Sequence, residues 1–252
     1  MAGTDSDINR KVFEESLVVD IYAANNAQGP SAQELVCLKF VPASRRHSVL
    51  DMGIGAGRTS TFLPAEFTQY VGFDYSSRMV ERAKSSFPSL DIRLLDARSF
   101  ELGQQFDCLY FNGIDFVSPE DRHLILNAVH AHTADGGYFI YRTHNLGFRR
   151  VRDWQNNLLA AELRNPGKWL KRLPNRLKYF WKQRQNKEAG WAVVNDSTLY
   201  FGFLVVYVDI EKEQQLLRRY GYDTIAIIGN SKAKIGFDQD DGWVNIVAKK
   251  VN

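Results

Sequence analysis

The stretch Val49-Leu50-Asp51-Met52-Gly53-Ile54-Gly55-Ala56-Gly57 restricts this chain more than any other. A short apolar run leads into three glycines at alternate positions. Glycine lets a chain leave a strand through a tight turn and keeps the backbone bare for a ligand. A strand over Ser48–Met52, such a turn, and a helix to about Phe67 open a βαβ unit. The alternation continues: strands are expected at 69–74, 91–96, 106–111 and 138–143, with helices at 76–87 and 119–132 between them.

The flanks read differently. Residues 11–40 carry helical spacing, in Val12, Phe13 and Leu17 and again in Leu35, Leu38 and Phe40. Gly29-Pro30-Ser31 breaks them, and Ser31 with Glu34 is spaced as a capping box. Residues 1–46 are therefore expected to form an N-terminal helical lid. Beyond Asn145 the rhythm changes, and 146–208 reads as an insertion. It holds two basic amphipathic helices over 147–187, then a hairpin of 191–194 and 199–208 across Asn195-Asp196-Ser197-Thr198. A helix over 210–220, stopped by Gly221, and strands at 224–228 and 243–248 finish the sheet. The expected fold is a single α/β domain over 1–252, a doubly wound, seven-stranded, mostly parallel sheet with a helical and hairpin insertion.

Acids stand where such a sheet binds ligands. Asp74 ends the second expected strand, 21 positions after Gly53, where a carboxylate accepts ribose hydroxyls. Asp96, followed by Ala97, ends the third, where an acid accepts from an adenine amino group. The dinucleotide fingerprint places a small residue where Arg58 stands, so the loop departs from that pattern. Arg58 is read as a solvated arginine at the helix start, the alternative being contact with a ligand carboxylate. Asp51 is expected to orient the loop by accepting from backbone N–H groups.

With these residues, 48–143 resembles the class I S-adenosylmethionine-dependent methyltransferases. The family's first motif matches Asp51 to Gly57, its ribose-binding acid matches Asp74 in Gly72-Phe73-Asp74-Tyr75-Ser76, and its adenine-side acid matches Asp96. Phe106 to Phe111 resembles the fourth-strand motif, and Asp135-Gly136-Gly137 the turn before the fifth strand. The resemblance implies a Rossmann-like fold with S-adenosylmethionine as cofactor and S-adenosylhomocysteine as product. It implies a cofactor site of Asp51, Gly53, Ile54, Gly55, Gly57, Asp74, Tyr75, Asp96 and Ala97, with Met79 against the adenine or in the core. Asn112 to Arg122 and Tyr141 to Leu146 resemble a bacterial subgroup associated with glycan and small-metabolite pathways. That implies methyl transfer to a hydroxyl or amine of a small molecule or glycan.

In-line methyl transfer draws most of its rate from positioning, and a hydroxyl acceptor also benefits from a base. His144, just past the fifth strand, is the first candidate base or acceptor-positioning group, with a structural histidine bonded to backbone as the alternative; Asp115, just past the fourth, is the second, with a helix-capping loop acid as the alternative. Asn112 and Asn145 would orient the acceptor or the cofactor amine, or cap loops. Tyr22 would close over the cofactor. No metal is expected: His123, His130 and His132 have no completing acid or cysteine pair and read as a solvated helix face.

Charge is uneven. The chain carries +3, yet between Arg149 and Lys187 seven arginines and five lysines face only Asp153 and Glu162, a local +10 that leaves −7 elsewhere. Three readings compete: a cap over the acceptor site, attraction to an anionic acceptor or to a membrane through 166–184, and binding of RNA. The last is disfavoured by the acidic remainder and by the absence of an Asn-Pro-Pro-Tyr-type loop after the fourth strand. An RNA methyltransferase and a non-catalytic S-adenosylmethionine-binding protein stand as alternatives. Met1 to Arg10 shows no secretory signal, and Cys37 and Cys108 read as reduced, buried thiols. The expectation is a cytoplasmic protein, membrane-peripheral in the second reading.

Overall fold

The computed structural model describes residues 4–148, 174–175, 177–195, 202–231, 233 and 235–251. Most of the expected basic helices and the hairpin turn over 196–201 lie outside the described residues. The strands are β1 (Ser48–Met52), β2 (Gln69–Asp74), β3 (Asp91–Leu94), β4 (Phe106–Phe111), β5 (Thr133–Asn145), β6 (Arg184–Asn186), β7 (Trp191–Val194), β8 (Val205–Val208), β9 (Tyr222–Gly229) and β10 (Trp243–Lys250). The helices are α1 (Asp5–Phe13), α2 (Ser16–Ala24), α3 (Ala32–Leu38), α4 (Leu63–Glu66), α5 (Ser77–Ser86), α6 (Pro119–His132) and α7 (Ile210–Arg219).

The doubly wound sheet runs β3-β2-β1-β4-β5-β10-β9, parallel from β3 to β5, with β10 antiparallel to both of its neighbours. Period-two alternation sends its side chains into two cores. Leu50, Phe73, Leu109, Phe111, Phe139 and Tyr141 face α6 and α7, which answer with Ile125, Val129 and Leu217. Val49, Cys108, Tyr110 and Ile140 face α3, with Cys37 and Leu38, and Leu63 and Phe67 of the α4 region. Burying each such large apolar side chain contributes roughly 1.5–3 kcal/mol, so the two layers hold the strand ends in register. Both cysteines are buried and free.

Ten strands are paired where a seven-stranded sheet and a separate hairpin were expected: β7 and β8 are that hairpin, joined to the sheet together with β6, and the register explains the joining. The last β4–β5 pair is Phe111 with Tyr141, while β5 runs on to Asn145. β10 already occupies the other edge at His144. The edge left open above β4 is taken by β8, parallel to β5 at His144 and Asn145, and β7 and β6 follow antiparallel. An unpaired edge carries unsatisfied N–H and C=O groups, so closing it has a direct reason. The closure builds a wall over the carboxyl end of β4.

Other differences are local. The helix expected after the glycine loop is broken into a single turn over Thr59–Thr61 and the four-residue α4, with Phe62 at φ −135° between them and Pro64 inside α4. The N-terminal region forms three helices, because the chain breaks at Glu14 and Glu15. The freed Glu14 carboxylate accepts from Ser77 N at 2.8 Å, at the start of α5. β3 ends at Leu94, two residues before Asp96. His132 is no solvated residue: it is 3% exposed, accepts from Leu102 N and contacts the Ala128 carbonyl. Among the described residues no helix is long and apolar enough to cross a membrane.

Candidate active site

The glycine loop leaves β1 at its carboxyl end. Gly53 and Gly55 have φ of 64° and 56°, left-handed values that a side chain would strain. A Cβ on Gly53 would stand 2.9 Å from the Phe111 ring, so the loop also needs bare backbone to pass β4. Gly55 N donates to Asp74 Oδ2 at 2.9 Å, and Ser76 N to Oδ1 at 2.9 Å. Asp74 is 5% exposed, and burial pushes its carboxyl up to about 6 against the pull of those N–H groups. An ionised carboxylate offers about four acceptor sites, so two described N–H bonds leave it capacity for a ligand.

Above the loop lies a cleft of about 660 Å³. Of the expected residues, Gly53, Gly55, Asp74, Tyr75, Asp96, Ala97, Asn112 and Tyr22 line it. Phe13, Leu95, Phe116 and Val117 make much of the rest apolar. Asp96 is held by Arg98, whose Nε and terminal nitrogen reach its two oxygens at 3.0 and 2.7 Å. Arg98 continues to Asp7 of α1 and Asp121 of α6, each at 3.2 Å. Sequence reasoning missed Arg98, and nothing local to it in the chain signals the role.

Four expected residues lie elsewhere. Ile54 is buried beside Val80, Ala83 and Ile92 and borders a second hollow rather than the cleft. Met79 is fully buried with Val12 and Phe13, in the core reading, because its place in the first turn of α5 points it under α1. Gly57 faces α5: a Cβ there would meet the Phe87 ring at 2.7 Å. Asp51 accepts from the Thr59 hydroxyl at 2.5 Å and the Tyr70 hydroxyl at 2.8 Å, not from backbone amides. Its burial outweighs those bonds and pushes its carboxyl up to about 7.

Arg58 is not a solvated arginine. It forms a two-pronged ion pair with Glu34, whose Oε1 also accepts from Tyr110 OH and Asn112 Nδ2, both at 2.9 Å. The same Glu34 closes the capping box with Ser31, as expected. Burial alone would raise the Glu34 carboxyl, but Arg58, Ser31 N and Asn112 hold it down at about 2. The capping spacing made Glu34 visible in the sequence, but as a helix cap only. Asn112 Oδ1 stays buried without a partner at the edge of the cleft. Asn145 caps its loop, donating to the Asp241 carbonyl at 3.0 Å and accepting from Gly147 N at 2.8 Å.

The two candidate bases meet. His144 Nδ1 lies 2.6 Å from Asp115 Oδ2, an ion-pair contact without hydrogen-bond alignment, with Asp115 fully buried and the His144 side chain 17% exposed; neither residue is part of the cleft's lining. Burial would raise the Asp115 carboxyl, but His144 and Arg142 beside it hold it below the ordinary carboxylate range. The Tyr207 ring of β8 packs on the imidazole, with centroids 4.8 Å apart, so the added strands hold the pair from above.

Residues 49–137 match the family model of a methyltransferase domain. The chain is 31% identical over 126 residues to the dTDP-4-amino-2,3,4,6-tetradeoxy-D-glucose N,N-dimethyltransferase of Saccharopolyspora spinosa, covering 47% of this chain and 51% of that one. The chain thus spans about half the length of the curated relative it matches. Among solved structures, the CcbJ methyltransferase of Streptomyces caelestis superposes with a TM-score of 0.59 at 12% identity, over 90% of this chain and 92% of that one. CalS10, an amino pentose methyltransferase from Micromonospora echinaspora, does so with 0.56 at 15% identity, over 91% and 95%. At such identities these two likenesses speak for the fold.

Proposed function

We propose that this chain, whose residues 49–137 match the family model of a methyltransferase domain, binds S-adenosylmethionine over Gly53 and Gly55 and methylates an amine of a small, sugar-like acceptor. The residues present fit the cofactor. The bare loop admits close approach, Asp74 keeps acceptor capacity for ribose hydroxyls, and Asn112 Oδ1 is an orphaned acceptor at the cleft edge. Asp96 would accept from the adenine amino group, with Phe116 and Val117 against the ring. When bound, the cofactor supplies a methyl already activated by its sulfonium, so orientation and shielding are the chain's main tasks. Tyr22 and Phe13, carried by α2 and α1, would exclude water as part of a lid over 1–46.

An amine acceptor is protonated near neutral pH and unreactive until it loses that proton. His144 is assigned as the base that takes it, and Asp115 as the group that steadies the resulting imidazolium. The observation that carries this assignment is the 2.6 Å contact between a buried carboxylate and a partly exposed imidazole at the sheet's ligand edge. The choice of an amine is supported by the 31% identical relative, which is an amino-sugar N,N-dimethyltransferase. The test is mass spectrometry after incubation with S-adenosylmethionine and paired amino sugars and their hydroxyl counterparts, free and nucleotide-linked. Methylation of amines alone is expected. Binding of S-adenosylhomocysteine without turnover would favour the non-catalytic alternative, and turnover on RNA alone would move the acceptor class.

A peripheral membrane contact is a second reading, favoured by one turn of chain. Leu177, Phe180 and Trp181 are 66%, 57% and 87% exposed, while Tyr179 between them is buried and anchors the turn. Lys178 lies between Leu177 and Phe180 and Lys182 follows Trp181, the mix that settles at an anionic lipid surface. Flotation with anionic but not neutral vesicles, lost in a Phe180→Ser, Trp181→Ser variant, is expected. Equal recovery of variant and parent would remove this reading.

A further inference from the structure

Past Tyr22, Gly53, Gly55 and Asn112 the cleft opens sideways into a second hollow of about 1240 Å³. Its lining mixes polar and apolar groups, with the Gln33 and Asn245 amides and Trp243, which is 40% exposed. Three charged side chains border it: Glu34, Arg58 and Arg142. The first two neutralise each other in their ion pair. Arg142 does not share in it. Among the described residues it makes no ion pair, and its buried Nε has no hydrogen-bond partner. The carboxylate that feels its charge is Asp115, which is already in contact with His144.

A guanidinium without a bonded anion in a partly enclosed hollow is costly, and a bidentate oxyanion is the ligand that best offsets the cost. Strand geometry places the cation with purpose. Arg142 and His144 are two apart on β5 and share a face, and Asn245 and Trp243 of β10 sit opposite them in register. A group held by Arg142 is therefore held next to the glycine loop, on the strand face that also carries the assigned base two residues on, although His144 is not part of the hollow's lining.

We propose that Arg142 is the anion receptor of this hollow and that the methyl acceptor carries a carboxylate or phosphate that docks on it. The docked anion fixes the distance between the acceptor's nucleophile and the glycine loop. The proposal rests on the methyl-transfer reading for calling the ligand an acceptor. The anion itself is argued from the lining alone.

The test uses the full chain, Arg142→Gln and Arg142→Lys. Inorganic phosphate is titrated at constant ionic strength into the unloaded and the S-adenosylhomocysteine-loaded protein. It is followed by the Nε–H NMR signal of Arg142, which is assigned by its loss in Arg142→Gln. S-adenosylhomocysteine and 5′-methylthioadenosine, which lacks the amino-acid end, are titrated by calorimetry into all three proteins. A saturable phosphate-dependent shift is expected in the parent, with no such shift from chloride. S-adenosylhomocysteine affinity should stay within about twofold in both variants, less than ~0.5 kcal/mol. An unmoved signal overturns the proposal. So does a loss of about tenfold or more in S-adenosylhomocysteine affinity with 5′-methylthioadenosine unaffected, since the guanidinium would then hold the cofactor's own carboxylate. Failure of the methyl-transfer reading shows separately, as no binding of S-adenosylhomocysteine to the parent.

Discussion

At the scale of single residues, two buried aspartates carry opposite consequences of one cause. Burial raises Asp74 to about 6 and Asp51 to about 7, but only Asp74 borders the cleft. Ribose hydroxyls donate to the carboxylate form, so bound cofactor should lower the Asp74 pKa. Affinity for S-adenosylhomocysteine should then be level above about pH 7 and fall as pH drops through about 6. Asp74→Asn should bind about tenfold or more weakly and lose that slope, which calorimetry across pH would read. For Asp51 the readout is stability. Its folded pKa lies above its unfolded value of 3.8, so its contribution is full below about 4 and is lost as pH rises through about 7. Asp51→Asn, which cannot ionise, should gain on the parent in denaturant midpoint as pH rises over that window. His144→Gln should lower kcat by roughly 10²–10⁴ with S-adenosylhomocysteine affinity unchanged. Rapid-quench turnover beside calorimetry separates the two, and a parallel loss of binding would assign His144 a structural task.

At the scale of elements, α3 acts as a strut between the N-terminal region and the glycine loop. Its Glu34 closes the helix N-terminus, pairs with Arg58 behind the loop and receives Tyr110 and Asn112 from the end of β4. The folded pKa of about 2 lies below the unfolded 4.5, so the stabilisation is present above about 4.5 and lost as pH falls toward 2. It amounts to ~3 kcal/mol. Glu34→Gln keeps the shape and removes the charge. It should cost a comparable amount above pH 5 and almost nothing near pH 2, by urea unfolding. The capping box was legible because it is a pattern of four consecutive residues. The strut was not, because Arg58 and Asn112 reach Glu34 only after three separate elements pack together.

At the scale of the whole molecule, Arg98 joins parts that are far apart in the chain. It grips Asp96 in the cleft, Asp7 on α1 and Asp121 on α6, and Asp121 also accepts from the Thr4 and Ser6 hydroxyls. Arg184 ties Asp5 to Glu120 beside it. Arg98→Met should loosen α1 and weaken S-adenosylhomocysteine binding together, while Asp7→Asn should loosen α1 with a smaller effect on binding. Hydrogen exchange over residues 5–13, set beside calorimetry, checks this pair. Equal protection in all three proteins would mean that α1 is held by its apolar face alone.

The sequence by itself determined the doubly wound sheet, the tight turn at Gly53 and Gly55, and the placing of Asp74 and Asp96 near one edge. Each follows from local signals: apolar periodicity, glycine backbone freedom and the rule that parallel strands end on the same side. It also marked His144 and Asp115 as separate candidates, because both stand just past strands. Only the tertiary structure decided that they touch, that Asp51 and Met79 turn away from the cleft, and that β8 closes the edge of β5 above them. Those outcomes depend on which distant side chains share a buried space and on where neighbouring strands stop. Such facts are set by packing across the sheet, which no run of neighbouring residues encodes.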